Sequence, residues 1–325
     1  MRFWKAFSFA CVLTTGAFAV ADDAKPVDAR TELQAAIAIL KTYHMNRDKV
    51  DWPKLSTEAF AKLGNATKPE DAYPEIWDII NALGVRHTRL WPATYAQAQA
   101  SDKAIGDMTP PYWAPPEGHL FVGGIGFLSL HSYGAGPLHD ADYANGGRAA
   151  IQTLAAAHVC RFIVDLRANT GGNMYPMINA VDALLGDETL GYWQLTGSTA
   201  DEPWLKTSGQ FADKASMKRI GSLKSAPVAV LLSPLTVSAG EFTAMAFKGR
   251  ANTRFFGETT GDFISANHPI SLPDGALLIV SEGWGTDRLH RPYRSAIVPD
   301  EQTPRGQATL DAAIAWLKKQ PCPKN

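Results

Sequence analysis

Apolar residues recur along this chain with two different periods. In residues 31–45, TELQAAIAILKTYHM, the positions Leu33, Ala36, Ile37, Leu40 and Tyr43 fall at helical spacing and predict an amphipathic helix. In residues 67–83, Ile76, Trp77, Ile80 and Leu83 share one helical face, and Thr67 with Glu70 offers a capping box. Pro74 has no N–H to give, so it belongs in the first turn of this helix or marks its true start. These patterns predict a small helical domain over residues 22–105. The next stretch, GDMTPPYWAPPEG at 106–118, is dense in proline and glycine and predicts a linker.

Beyond the linker the pattern changes. Runs rich in Val, Ile, Leu and Phe appear as LFVGGIGFLSL (120–130), RFIVDL (161–166), PVAVLLS (227–233), TRFFGE (253–258) and GALLIVS (275–281). Helix-like stretches at 146–157, 174–185, 239–248 and 307–319 alternate with them. Strands alternating with helices predict βαβ units around a largely buried sheet, an α/β core over residues 119–325. Residues 186–226 carry only turns and scattered aromatics, Tyr192, Trp193, Trp204 and Phe211, and suit a lid or substrate wall.

Composition narrows the class. With 325 residues, 46% hydrophobic and 19% charged, the chain can bury about two domain cores. A formal net charge of −1, with no clustered basic charge, argues against a nucleic-acid partner. The start, MRFWKAFSFACVLTTGAFAVADD, has Arg2 and Lys5, an apolar run from Ala6 to Ala21, and Ala19-Val20-Ala21 as a small-residue cleavage pattern. It reads as a signal peptide over residues 1–21, the apolar run being short of the roughly 20 residues a spanning helix needs. The mature protein is therefore expected in the periplasm or secreted, with no membrane span. Cys160 and Cys322 then remain. Such a compartment permits a bridge between them; the alternative is a buried thiol at Cys160 and a free one in the tail. Two distant cysteines match no zinc spacing, and no metal or cofactor is expected.

Common catalytic signatures are missing: there is no HExxH, no GxxxxGK[ST], no GxSxG and no SxxK. Two segments still carry chemistry. In FIVDLRANTGGN (Phe162 to Asn173) a strand ends in a polar turn with Asn169, Gly171 and Gly172; such a turn can present backbone N–H groups to an oxyanion, or simply be a turn. In PVAVLLSPLTVSAGEFTAMAFKGR (Pro227 to Arg250) Ser238 opens an apolar helix. A serine there is ordinarily an N-cap, but the helix dipole and the following N–H groups also suit a nucleophile. A nucleophilic serine needs a base. Of the eight histidines, His87 in LGVRHTRL stands directly after a strong helix, yet the residues alone do not choose among the eight.

Taken together, the chain resembles the tail-specific (C-terminal-processing) serine proteases, in their tricorn-like branch. The resemblance rests on Asp165-Leu166-Arg167-Ala168-Asn169-Thr170-Gly171-Gly172, on Thr236-Val237-Ser238-Ala239-Gly240-Glu241, on Gly257-Glu258-Thr259-Thr260-Gly261, on Leu272 to Ala276 and on Pro299-Asp300. Val50 to Trp52 and Leu83 to Thr88 also fit. It implies a crotonase/ClpP-like α/β core. It implies Ser238 as nucleophile, His87 as base, and the N–H groups of Ala239 and Gly171, with Gly172 as alternative, as oxyanion hole. Asn169 and Gly172 would contact substrate. One branch of the family uses a lysine where Asp262 stands, so a Ser–Lys dyad is excluded there. Arg86 occupies the place of a serine that normally precedes the histidine, and Asp287 is the plausible acid to orient it, with Glu241 and Glu258 as other candidates. Thr88 to Gly118 leaves no room for a PDZ insert. The expected activity is hydrolysis of peptides or unfolded proteins through an acyl-enzyme. The alternative is a non-catalytic ligand- or peptide-binding protein on the same fold.

Overall fold

A computed structural model describes residues 27–100, 114–121, 123–134, 139–186, 189–204 and 223–322. The expected leader, residues 106–113 of the linker and much of the expected lid lie outside them.

Three helices follow one another at the N-terminus, each bounded by local chemistry. Helix α1 (Ala29–Tyr43) starts where Asp28 Oδ1 accepts from Thr31 N at 2.7 Å, and it buries Leu33, Ala36, Ile37 and Leu40. Helix α2 (Trp52–Leu63) is capped by Asp51, which accepts from Lys54 N at 3.1 Å. Helix α3 (Tyr73–Leu83) carries Pro74 in its first turn and stops at Gly84 in the left-handed region. The expected Thr67/Glu70 capping box does not form. Pro69 opens a 3-10 turn over Pro69–Ala72 instead, and Asp71 Oδ2 accepts from Lys68 N at 3.2 Å. Proline fixes φ and has no N–H, so the chain turns one residue later than the box requires.

The mixed α/β architecture has two six-stranded sheets. The first contains β2 (Glu117–Phe121), β3 (Ile125–Ser129), β4 (Arg161–Asp165), β7 (Val228–Leu232), β8 (Thr253–Gly257) and β12 (Glu301–Gln302), in the order β12-β8-β7-β4-β3-β2. All neighbours pair in parallel except the edge strand β2. The apolar run 120–130, read above as one strand, is a hairpin; Gly123 and Gly124 both take positive φ and turn the chain back. Every residue of β7 is buried, and alternate residues enter different cores. Val164, Val228, Val230 and Leu232 pack with Ile151 and Leu154 of α5 (Asp140–Ala156) and Met177 of α6 (Met174–Ala180). Ile163, Ala229 and Leu231 pack with Ala313 and Leu317 of α9 (Gln307–Lys318). A sheet covered on both faces reads as a continuous apolar run, which is why the sequence showed it so clearly. Cys160 and Cys322 form a disulfide, Cα to Cα 5.4 Å, tying the tail beyond α9 to the entry of β4. No helix among the described residues is long and apolar enough to cross a membrane.

The second sheet is antiparallel: β1 (Arg89–Trp91), β5 (Gly191–Leu195), β6 (Glu202–Trp204), β9 (Ser265–Ser271), β10 (Leu277–Asp287) and β11 (Pro292–Tyr293). Leu272, Ala276, Leu278 and Val280 from its β9–β10 hairpin share one core with α1, α2 and α3. The N-terminal helices are thus built onto this hairpin, and β1 follows α3 directly into the sheet beside β10.

That shared core contains one costly group. Glu32 of α1 is fully buried. Its Oε2 accepts from Asp274 N at 3.2 Å, while its Oε1 has no partner among the described residues. Burial, then the nearby Asp274, pushes the Glu32 carboxyl up from 4.5 to about 8. Folding therefore favours the protonated form. Its contribution is present below about pH 4.5 and is lost as pH rises towards 8. Glu32→Gln, neutral and nearly isosteric, is expected to raise the melting temperature at pH 8 by roughly 3–6 °C and to leave it unchanged near pH 4.5. Calorimetry at the two pH values checks this; an equal effect at both would count against a charge penalty.

Candidate active site

The site begins where β7 runs out. Thr236 Oγ1 accepts from Ser233 N at 3.0 Å and donates to Leu166 O at 2.8 Å; Val237 N donates to Asn169 O at 3.1 Å. These bonds stitch the turn after β7 to the turn after β4. Helix α8 (Ala239–Ala246) then starts, with Ser238 at its N-cap in a strained conformation, φ 55° and ψ −122°. A non-glycine residue in such a conformation must be held by its surroundings. Glu241 does much of that: Oε2 accepts from Ser238 N at 3.0 Å and Phe263 N at 2.8 Å, and Oε1 accepts from Thr260 Oγ1 at 2.5 Å and Asp262 N at 3.2 Å. Burial pushes its carboxyl up and these bonds pull it down. The Ser238 hydroxyl is left out of the capping, since Glu241 N donates to the Ser238 carbonyl.

That hydroxyl meets His87. Ser238 Oγ lies 3.0 Å from His87 Nε2, across 151 residues of sequence. His87 stands in the loop between α3 and β1, and its Nδ1 lies 2.9 Å from Ser265 Oγ on β9. Ser265 Oγ in turn donates to Asn267 Oδ1 at 3.0 Å and lies 2.9 Å from Ser281 Oγ; Ser281 Oγ also donates to Asn267 Oδ1 at 3.0 Å. Asn267 Oδ1 is an acceptor only; with the Ser265 proton directed to it, Ser265 Oγ is an acceptor for His87 Nδ1–H. In that arrangement Nε2 is bare and faces the Ser238 hydroxyl. A β-bulge between Ser281 and Gly283 falls beside these hydroxyls, where bulges commonly re-aim side chains. Burial, and secondarily the Arg89 charge, pushes His87 down from 6.5 to about 4, so the ring is neutral at ordinary pH.

A second histidine braces the loop. His44 is fully buried; its Nδ1 accepts from Asn46 N at 3.0 Å, so Nε2–H donates to Thr88 Oγ1 at 3.0 Å. Thr88 Oγ1 also accepts from Ser281 N at 3.3 Å. The residue after His87 is thereby fixed to β10.

The residues expected from the sequence fall into place unevenly. Ser238, His87, Ala239 and Gly171 come together; a Cβ on Gly171 would stand 2.8 Å from Ser238 Cβ. The Gly171 N–H, however, donates to Asn169 Oδ1 at 3.0 Å. The donors that find no acceptor among the described residues are the N–H groups of Ala239 and Gly172. Asn169, expected to touch substrate, is fully buried instead, with Nδ2 donating to Leu130 O and His131 O at 3.1 Å each. Its amide braces the two turns from inside. Asp287 does not reach His87. It accepts from Leu289 N at 2.8 Å, from Arg291 Nε at 2.7 Å and from Tyr293 OH at 3.2 Å, roughly 20 Å of strand beyond Ser281. Its carboxylate closes the β10–β11 turn. Glu258 pairs with Arg305 at 2.8 Å, and Glu241 is spent on Ser238 and the 260–263 segment.

The sequence reading missed Ser265, Asn267 and Ser281. The sequence carries no clear signal for them: Ser265 and Asn267 lie in a mixed stretch, SANHPIS, and Asn267 meets Ser281 only through the β9–β10 register. Ser265→Ala is expected to lower kcat about 10- to 100-fold with KM and melting temperature nearly unchanged, because the ring loses the acceptor that fixes its tautomer. Steady-state kinetics with a denaturation curve checks this; an unaltered kcat would remove Ser265 from the account.

Comparison with known proteins follows the same outline. The description of peptidase family S41 matches residues 124–302, which include Ser238 and both glycine-turn residues but not His87. The chain is 27% identical over 277 residues to the nisin-resistance protein of Lactococcus lactis subsp. lactis, covering 84% of this chain and 82% of that one. A lipoprotein from Streptococcus agalactiae superposes with TM-score 0.75 at 20% identity, covering 91% of this chain and 98% of that one. The photosystem II D1 C-terminal processing protease superposes with TM-score 0.61 at 14% identity, covering 91% and 99%. At these identities the two superpositions show a shared fold.

Proposed function

The chain belongs to peptidase family S41, and from that premise we propose that it is a serine endopeptidase of peptides or unfolded proteins, with Ser238 as nucleophile and His87 as general base. The 3.0 Å contact between Ser238 Oγ and His87 Nε2 carries the reading. In the proposed cycle Ser238 Oγ attacks the scissile carbonyl carbon while its proton passes to His87 Nε2. The carbonyl oxygen becomes an oxyanion at the N-terminus of α8, where Ala239 N–H and the glycine turn, through Gly172 N–H, supply donors. Collapse breaks the C–N bond, and the departing amine takes the proton from His87. Water, deprotonated by the same nitrogen, then attacks the acyl-enzyme and frees Ser238.

No carboxylate faces His87 Nδ1 among the described residues; the Ser265 hydroxyl offers a dipole rather than a full charge to the imidazolium. The strain at Ser238 and the dipole of α8 supplement this base. The leader pattern at residues 1–21 supports action in the periplasm or after secretion. The organisation we propose is a helical part over 22–105 that carries the base and a core over 119–325 that carries the nucleophile.

A second reading, a non-catalytic ligand- or peptide-binding protein, draws on that missing carboxylate. One experiment separates the two. A serine-directed phosphonate is expected to label Ser238, located by mass spectrometry. The labelling rate should follow the neutral fraction of His87, climbing through about pH 4 to a plateau near pH 6, and should collapse in His87→Ala. Absence of labelling on the folded protein across that range would favour the binding protein.

A further inference from the structure

We propose that Glu32, Asp274 and Tyr73 form a proton-operated latch. With Glu32 protonated, the latch holds the helices that carry His87 on the β9–β10 hairpin; loss of that proton to water as pH rises loosens them and draws His87 away from Ser238. The proposal rests on the peptidase reading above and gives that site a control by pH.

The cluster joins three parts of the chain that are distant in sequence. Glu32 lies in the first turn of α1, Tyr73 opens α3, and Asp274 stands in the turn between β9 and β10. Asp274 N donates to Glu32 Oε2 at 3.2 Å, and Tyr73 OH donates to Asp274 Oδ2 at 2.5 Å. Asp274 Oδ1 accepts from Ala276 N at 2.7 Å, and Ala93 N donates to the Tyr73 hydroxyl oxygen at 3.3 Å. None of these bonds reaches Glu32 Oε1, which is buried without a partner. Leu33, Leu40, Ile76 and Leu278 belong to the same apolar core. The titratable groups that face Glu32 are Asp274 from the hairpin and, through it, Tyr73 from α3. No lysine, arginine or histidine pairs with Glu32 or Asp274 among the described residues. Two carboxyl groups in an apolar core without a cation are relieved by a proton on one of them.

Two connections lead from the cluster to His87. Tyr73 and Ala93 bracket the segment that carries His87, with α3 before it and β1 after it. The Tyr73 hydroxyl therefore pins both ends of that segment to Asp274. Helix α1 supplies the other connection. Glu32 lies near its start, and His44 caps its end and donates to Thr88, the residue after His87. Residues 32 to 44 of a helix span about 18 Å, so α1 links the latch to the brace on the base as one piece. Burial, then Asp274, pushes Glu32 up from 4.5 to about 8. Burial, then the bond to Asp274, pushes the Tyr73 hydroxyl up to about 12, so Glu32 is the group that changes. Docked Glu32 keeps its proton up to about 8, whereas released Glu32 loses it above 4.5. Each pH unit between those values favours release, and above about 8 nothing further changes. The two values cap the change in the docking equilibrium at about 3,000-fold. His87, held down at about 4, is already neutral over most of this range, so its own titration produces no decline.

The test uses the full protein and a quenched peptide with blocked ends and no group that titrates between about pH 5 and 9. The unmodified protein is expected to lose roughly 3- to 10-fold in kcat/KM between about pH 6 and 8 and to level off above that. E32Q, which has no proton to lose, should hold its pH 6 rate across the range. Hydrogen exchange, corrected for the pH dependence of the intrinsic rate, gives a second readout. Protection across α1 and residues 84–93 should fall about 10-fold over the same range in the unmodified protein and stay constant in E32Q. A flat rate profile in the unmodified protein, or a decline that survives E32Q, overturns the latch and leaves the peptidase intact. Should no peptide be cut at any pH, the peptidase reading fails instead, and hydrogen exchange judges the latch alone. Loss of protection confined to those segments then supports it, and constant or uniformly changing protection overturns it. Should E32Q fail to fold, the same two exchange outcomes on the unmodified protein decide.

Discussion

Ser238→Ala is expected to reduce kcat by at least about 10⁴-fold while leaving the fold intact. The size follows from losing the attacking atom in a unit whose members act together. No other hydroxyl can take over: Ser265 lies on the far nitrogen of His87, and Ser233 is buried with its Oγ donating to Arg167 O at 2.5 Å. Stability should change little, because Ser238 Oγ caps nothing and alanine adopts the same backbone at similar cost. Single-turnover kinetics on a quenched peptide, alongside a melting curve, measures both. A folded Ser238→Ala protein that still cleaves at the original rate would remove the serine from the chemistry.

Gly172→Ala should be nearly as severe, for a steric reason. Gly172 has φ +119°, a conformation open to glycine and strained for alanine. A Cβ there would also run into the backbone carbonyl of Tyr133. That carbonyl cannot move away cheaply, since it accepts from Asn173 N at 2.8 Å while Tyr133 N donates to Gly171 O at 3.1 Å. Relief requires breaking the bridge that seats the glycine turn against Ser238. A loss of about 3–5 kcal/mol is expected, with activity abolished even where the protein still folds. Urea denaturation and kcat measured on the same preparation decide it. Wild-type values for both would show that the turn is not held as described.

The contrast between these two sites and the misplaced acid shows what was legible. Ser238 and the glycine turn announce themselves because their chemistry is local: a buried strand, a turn and a helix start lie within a dozen residues, and each leaves its mark on the adjacent sequence. The caps Asp28 and Asp51 and the termination at Gly84 are legible for the same reason. The hairpin inside residues 120–130 was hidden because two glycines in an apolar run resemble an interrupted strand as much as a turn. Asp287 was misleading because an acid in a polar stretch carries no sign of its partner; its partners turned out to be its own neighbours, Leu289 and Arg291. Nothing near Glu32 in the sequence marks it, because its burial against Asp274 depends on a hairpin over two hundred residues away.

By itself the sequence determined the period of the buried strands and of the helices that flank them, the two turns that carry the proposed nucleophile and oxyanion donors, and the motif order of a peptidase family. Only the tertiary structure decided which histidine meets Ser238, which group orients it, and which N–H groups stay free. His87 and Ser265 are 178 residues apart, and their contact exists because α1, α2 and α3 bury an apolar face on the β9–β10 hairpin. Local propensity is written in neighbouring residues. A proton's path across three segments is set by packing, and packing is a property of the whole chain.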